Sequence, residues 1–310
     1  MSDNFMIFMQ TIEAYEKDIF TQPDFLNTFH PKKPLSKHQQ KNILFSGTGD
    51  SFASAVLAEV FSDYTVKSVD PLDLLKTKAI MKNKTIYFVS ISGNTISNIK
   101  VAKIAKRSIA ITSKLSSRLA NACDASIILN FPNSGEFTAG SISFLESALT
   151  CISLVTPILI PKDPKIFKKA LLDAKKSKFG KRIFVLGSAH TFPIAMYCAA
   201  KFYEILGHNV HFERVEQFSH MELFSVKKGD TIIIFEEKNS HNKQLAKNLK
   251  NIGLNVIHPT FASKNKISQL LYYVYFSQLL TLFEAKRRRQ KDCHFILSEK
   301  LRSVSNQMIY

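Results

Sequence analysis

The chain has 310 residues, 45% hydrophobic and 22% charged, which supplies apolar material for two cores of ordinary size and fits a globular protein. Met1–Asn4 opens polar and acidic with no basic run ahead of an apolar stretch, so no secretory signal is expected and a cytoplasmic location is. The formal charge of +17 clusters at 32–41, 175–182 and 286–291, but no recognition helix, zinc spacing or RNA-binding aromatic motif accompanies it. These runs are read as solvated basic faces that draw anionic small molecules toward a cleft; nucleic acid is not an expected partner.

Taken in chain order, the hydrophobic pattern predicts strands alternating with amphipathic helices, the signature of parallel sheets. The first unit is expected to run strand 42–45, helix 50–62, strands 65–69 and 85–89, helix 95–106, strands 108–112 and 125–130, then an apolar helix ending near Pro157. That last stretch, Gly140–Ile160, carries Glu146, hydroxyls and Pro157, so it reads as a buried core helix and no membrane contact is expected. Pro161–Pro164 is a turn-rich link, followed by a helix over 165–176. The second unit is expected as strand 182–186, helix 192–206, strands 210–213 and 231–235, helix 241–251, strand 255–258 and helix 267–285. The fold class is therefore α/β, two parallel sheets each flanked by helices in a flavodoxin-like three-layer sandwich. The expected domains are 1–164, with N-terminal helices and the first unit, and 165–310, with the second unit and the C-terminal tail.

The two units align on each other. NILFSGTGDSFASAVLAEVF matches RIFVLGSAHTFPIAMYCAAKFY, with Gly47 opposite Gly187, and TIYFVSISGNTI matches TIIIFEEKNSHN, with Thr85 opposite Thr231. The copies differ where they matter. After its middle strand the first has Ser90, Ser92, Gly93 and Thr95, where the second has Glu236, Lys238, Asn239 and His241. The first also has Gly47, Thr48, Gly49, Asp50 and Ser51 as a second strand-to-helix turn. Hydroxyls and helix N-termini favour an anion, which Glu236 and Glu237 would repel. Both turns are expected at the carboxyl edge of the first sheet, making a phosphate cradle of Gly47, Thr48, Gly49, Ser51, Ser90, Ser92 and Thr95. Ser and Thr also serve as ordinary helix caps. GTGDS satisfies neither G-x-G-x-x-G nor a P-loop, so a nucleotide is not indicated.

These segments resemble the sugar isomerase (SIS) domain family, as two tandem SIS domains over nearly the whole chain. The resemblance is carried by SGTGDSFASA (46–55), SISGNTISNIKVAKIAKRSIAITS (90–113), SRLANACDASIIL (117–129) and KFYEILGHNVHFERVEQFSHMEL (201–223). Two branches are similar: the isomerase part of glucosamine-6-phosphate synthase, through YEKDIFTQPDFL, and the bifunctional phosphoglucose/phosphomannose isomerases, through SGNT and SRLA. The resemblance implies a catalytic glutamate at Glu204 and a histidine sixteen residues on at His220, supplied to the site of the neighbouring subunit in a homodimer. It implies that Arg118 steadies an enediolate. The synthase branch has a catalytic lysine in its C-terminal tail; here Arg302 stands at that register and Lys300 two residues earlier. Arginine stays protonated, so Lys300 is the candidate for amine chemistry.

Aldose–ketose isomerisation needs a base shuttling a proton between C1 and C2, a group to open the ring, and positive charge for the oxyanion. Glu204 suits the first task, His220 the second and Arg118 the third, while Arg118 can alternatively pair with Asp124 or cap a turn. His208 and His211 read as structural. Cys123, Cys151, Cys198 and Cys293 are scattered in or near apolar runs and read as reduced small hydrophobes. No His/Asp/Glu set has metal-ligand spacing, so no metal and no cofactor are expected. The expected substrate is a hexose 6-phosphate, with fructose 6-phosphate converted to glucose or mannose 6-phosphate. A glucosamine-6-phosphate deaminase or aminating isomerase, and a non-catalytic phosphosugar sensor, stand as alternatives.

Overall fold

The computed structural model describes residues 9–309; Met1–Asn4 lies outside the described residues. The first unit opens with α1 (Thr11–Thr28) and α2 (Lys37–Gln40) and continues β1 (Ile43–Ser46), α3 (Asp50–Phe61), β2 (Lys67–Ser68), α4 (Pro71–Lys76), β3 (Thr85–Val89), α5 (Ile96–Ala102), β4 (Ser108–Thr112), α6 (Arg118–Ala122), β5 (Ala125–Ile128) and α7 (Ile142–Ser153). The second runs α8 (Lys165–Lys176), β6 (Arg182–Gly187), α9 (Phe192–Lys201) with a π turn through Phe202–Leu206, β7 (Asn209–Arg214), α10 (Val215–His220), β8 (Thr231–Phe235), α11 (Ser240–Asn251), β9 (Asn255–Ile257) and α12 (Lys266–Arg287), then α13 (His294–Leu297) and α14 (Glu299–Ile309).

Both sheets are parallel, ordered β2-β1-β3-β4-β5 and β7-β6-β8-β9. Their central strands, ILFS, TIYFV, RIFVLG and TIIIF, are apolar on both faces because helices cover both faces. In the first sheet Phe45, Tyr87 and Val89 pack against Ala55 and Ala58 of α3, while Leu44, Ile86 and Phe88 face Leu74, Ile99 and Leu119 on the far side. In the second, Ile183 and Val185 pack against α9 and α12, and Phe184 and Leu186 against Phe218 and Leu249. Helices α3 and α7 meet α9 and α12 between the sheets, so one apolar core runs through both units. The stretch read as a core helix is α7, with almost every residue buried. Among the described residues no helix is long and apolar enough to cross a membrane.

Two expectations are corrected. The helix expected over 95–106 stops at Ala102, and the Val101 carbonyl instead accepts the Ile104 and Ala105 amides in a closing turn. The helix expected over 192–206 is α only to Lys201. From there five residues are wound as a π turn, which Gly207 ends in the left-handed region at φ 63°. A side chain at Gly207 would strike the His294 ring at 2.6 Å, so α13 seats directly on this turn.

Candidate functional site

Strands β1 and β3 are neighbours, with Ser46 opposite Phe88, so the turns that follow them leave the same carboxyl edge side by side. In a sheet of this order, that edge beside the first strand is where the crossovers diverge and a ligand can enter. Gly47 is required by close approach: a Cβ there would lie 2.8 Å from the Ser51 carbonyl carbon. Helix α3 then starts from Gly49, which has no side chain to cap it, and α5 starts from Thr95 without a side-chain cap. In the second unit Ser188 and Thr191 close the short 3-10 turn ahead of α9, which itself starts without a side-chain cap, and at α11 Asn239 accepts the Asn242 amide at 2.8 Å. The first edge therefore carries two helix starts without side-chain caps beside the hydroxyls of Thr48, Ser51 and Ser92, a donor set whose chemistry suits an anion. Ser90 and Thr95 are buried behind them, their oxygens 3.4 Å apart.

Arg118 begins α6, and α6 is fitted onto the second turn. Gly93 lies at φ 63°, its carbonyl accepts the Leu119 amide at 2.9 Å, and any Cβ would meet Ser117 Oγ at 2.2 Å. The Arg118 side chain is exposed. Asp124, its suggested partner, instead accepts the Ser108 amide at 2.7 Å.

The two units are joined beside this edge by a residue that the sequence reading missed. Lys201 is fully buried, and its ammonium donates to Asp50 Oδ2 at 2.7 Å, to Glu204 Oε2 at 2.5 Å and to the Gly140 carbonyl at 3.1 Å. It also stands 4.9 Å over the Tyr197 ring, whose hydroxyl donates to the same Gly140 carbonyl at 2.8 Å. A lysine has three donors, and all three are used. Two carboxylates around it hold the ammonium in its charged form against the cost of burial. Asp50, at the first turn of α3, is pushed up to about 7 by burial, with Lys201 pulling down and Glu204 pushing up. Through Lys201, Glu204 of the second unit is thus tied to the Gly49–Asp50 turn of the first. A signal existed in the repeat: Lys201 aligns with Phe61 of the first copy, an apolar position on an apolar helix face, three residues before an acid.

The structure does not gather every sequence candidate within one chain. His220 lies at the end of α10, exposed and bonded to Glu216 at 3.0 Å. Phe218 of α10 packs on Phe184, whereas α9 packs on the Ile183 and Val185 face, so His220 and Glu204 sit on elements covering opposite faces of the second sheet. Lys300 is exposed on α14, which packs against α13, and Arg302 is half-buried there. His208 accepts from Arg288 at 2.6 Å and His211 stacks on Phe184 at 4.9 Å. Among the described residues no group of three or more His, Cys, Asp or Glu is placed to hold a metal ion.

Several solved structures share this architecture. Glucosamine-6-phosphate deaminase from Thermotoga maritima superposes with a TM-score of 0.70 at 19% identity, over 89% of this chain and 95% of that one. Tagatose-6-phosphate ketose/aldose isomerase from Escherichia coli gives 0.69 at 17% identity, over 89% and 93%. The C-terminal domain of glucosamine-fructose-6-phosphate aminotransferase from Francisella tularensis gives 0.63 at 14%, over 92% and 98%. At such identities the likeness establishes the fold. No curated protein matches the chain in sequence. At the level of family, residues 180–272, which include Lys201, Glu204 and His220, match the SIS domain.

Proposed function

We propose that the protein is a phosphosugar aldose–ketose isomerase that interconverts fructose 6-phosphate with an aldose 6-phosphate. The observation that carries this reading is the link from Glu204 through Lys201 to Asp50, which sets a carboxylate beside the edge whose helix starts are left uncapped. The phosphate rests on the start of α3 and the hydroxyls of Thr48, Ser51 and Ser92, with Ser90 and Thr95 shaping the second turn. Binding energy from the phosphate then orients carbons that the phosphate does not touch. Glu204 takes the proton from C2 of the aldose or C1 of the ketose and returns it to the other carbon, while the carbonyl oxygen gains and loses a proton in step. Arg118 stays charged and faces the oxyanion of the enediolate. His220 opens the ring in the site of a second copy, so the working unit is a homodimer; its exposure on the far face of the sheet supports this.

The similarity to the deaminase and isomerase structures named above agrees with phosphosugar chemistry. A second reading, release of ammonia from glucosamine 6-phosphate, has support in the tail: α13 packs on Gly207, and Lys300 follows it. The two are separated by incubating the protein in D2O with fructose 6-phosphate or with glucosamine 6-phosphate. Deuterium at C2 from fructose 6-phosphate without ammonia supports the isomerase, and ammonia from the amino sugar supports the deaminase. Wild-type protein that binds both sugars and turns over neither overturns both.

A further inference from the structure

We propose that Asp50 is a positioning residue for this reaction: it takes one of the three hydrogen bonds of Lys201 and so sets how much of that ammonium's charge falls on Glu204. The inference rests on the isomerase reading above. Asp50 occupies the first turn of α3, between the glycine that starts the helix and Ser51, yet its carboxylate reaches across to Lys201 of the second unit. Both acids lie within 2.7 Å of one nitrogen, Asp50 Oδ2 and Glu204 Oε2, so they compete for it directly. Gly140 is needed for the fit, because a Cβ there would strike Asp50 Oδ2 at 2.6 Å. Asp50 Oδ1 is buried and, among the described residues, has no hydrogen-bond partner, which leaves Lys201 as the group that stabilises the charged form.

The chemical consequence follows from counting charge. With Asp50 ionised, one positive charge serves two negative ones and Glu204 keeps its appetite for a proton. With Asp50 protonated, the ammonium falls wholly to Glu204, and a carboxylate held by an undivided cation is a weaker base. The ordinary value of Asp50 is already displaced to about 7 by burial, so this change falls in the range where cells work. The groups that face the pair are Glu204 and Tyr197 from α9 and its π turn, Tyr15 from α1, Cys293 ahead of α13, and the Gly140 carbonyl ahead of α7. Tyr15, Tyr197 and Cys293 are all pushed up by burial, so none of them ionises before Asp50 does.

The test compares the wild type with Asp50→Asn, which keeps the size and can still accept from Lys201 but carries no charge, and with Asp50→Glu, which restores the charge. Turnover of fructose 6-phosphate is followed by C2 exchange from pH 5.5 to 9, beside melting temperature. The expected result is that kcat of Asp50→Asn falls about 10-fold at pH 8 with KM within about 2-fold, and that the rise of kcat around neutrality seen in the wild type disappears. Asp50→Glu regains part of kcat and of the rise. An Asp50→Asn profile that superposes on the wild type overturns the inference while leaving the isomerase standing. Equal losses in both variants, with melting temperature and KM moving together, also overturn it, since that is what a purely structural contact would give. A wild type without turnover overturns both.

Discussion

The two sheet edges are built on the same plan and are chemically opposite. At the second edge a carboxylate, Glu236, stands where the first edge has the hydroxyl of Ser90. Thr191 donates to Glu236 Oε1 at 3.2 Å, and the Gly187–Thr191 turn closes on itself through Ser188 and Thr191. Gln269 donates to Glu237 at 2.8 Å and accepts from His190 at 3.0 Å, while His258 donates to the Glu236 carbonyl at 2.9 Å. There α11 is capped by Asn239, while α9 starts from Thr191 without a side-chain cap, its hydroxyl turned instead to the loop and to Glu236. At the first edge, α3 and α5 start without side-chain caps, and the cross-unit contact is an ion pair, Asp50 with Lys201. The position equivalent to Asp50 is His190, and its neighbour from the first unit is Phe61, an aromatic contact at 6.2 Å. One scaffold thus carries two edges of opposite chemistry, and a handful of loop residues makes the difference.

The comparison is broken most severely at Glu204. Glu204→Gln keeps the bond to Lys201 but cannot carry the proton, so kcat is expected to drop by at least about 100-fold with fructose 6-phosphate binding retained, measured by C2 exchange and calorimetry. Loss of binding with kcat untouched would place the chemistry elsewhere. A smaller effect is expected in the cradle. Ser90→Ala with Thr95→Ala removes the hydroxyl pair under the second turn and is expected to raise KM about 10-fold, roughly 1.4 kcal/mol, with a modest change in kcat. The same treatment of Thr191 at the second edge is expected to leave KM where it was; a rise there would mean that the second edge holds the phosphate.

Much of this was legible in the residues. Strands β3, β4 and β8 fall on the expected positions because each is a short apolar run between polar residues, and helix α8 on its expected span because an amphipathic pattern follows Pro164. The switch-point turns were legible because Gly47 and Gly187 recur at the same close approach, 2.8 and 2.7 Å from the following turn. Lys201 was legible only as an odd lysine opposite Phe61 in the repeat; its role was not, since a buried lysine is explained by its partner, and Asp50 stands 151 positions away. The π turn has no pattern of its own; Gly207, which ends it, is needed by the fit to His294. The spacing of Glu204 and His220 was legible, but their separation by the sheet was not. It depends on which face of β6 each helix covers, alternate residues of one strand.

The smallest expected effect sharpens the contrast from the quiet side. Burial pushes the Glu236 carboxyl up from its ordinary value, against donors at Ser188 and Thr191 that pull it down. A carboxyl raised in the folded protein favours the protonated native state, so the stability it contributes is fully present below its unfolded value. It is lost as pH rises through the folded one. Glu236→Gln is neutral at every pH and removes this slope. Melting temperatures of the two proteins should converge near pH 4, and toward pH 8 the variant should gain on the wild type, by no more than about 1 kcal/mol because one hydrogen bond from Thr191 is weakened in exchange. Turnover and KM should stay within about 2-fold. A variant that loses stability as pH rises would mean that the ionised carboxylate is favoured where it stands, filling the second edge as a phosphate is expected to fill the first. An unchanged melting curve with impaired turnover would mean that the second edge takes part in the reaction.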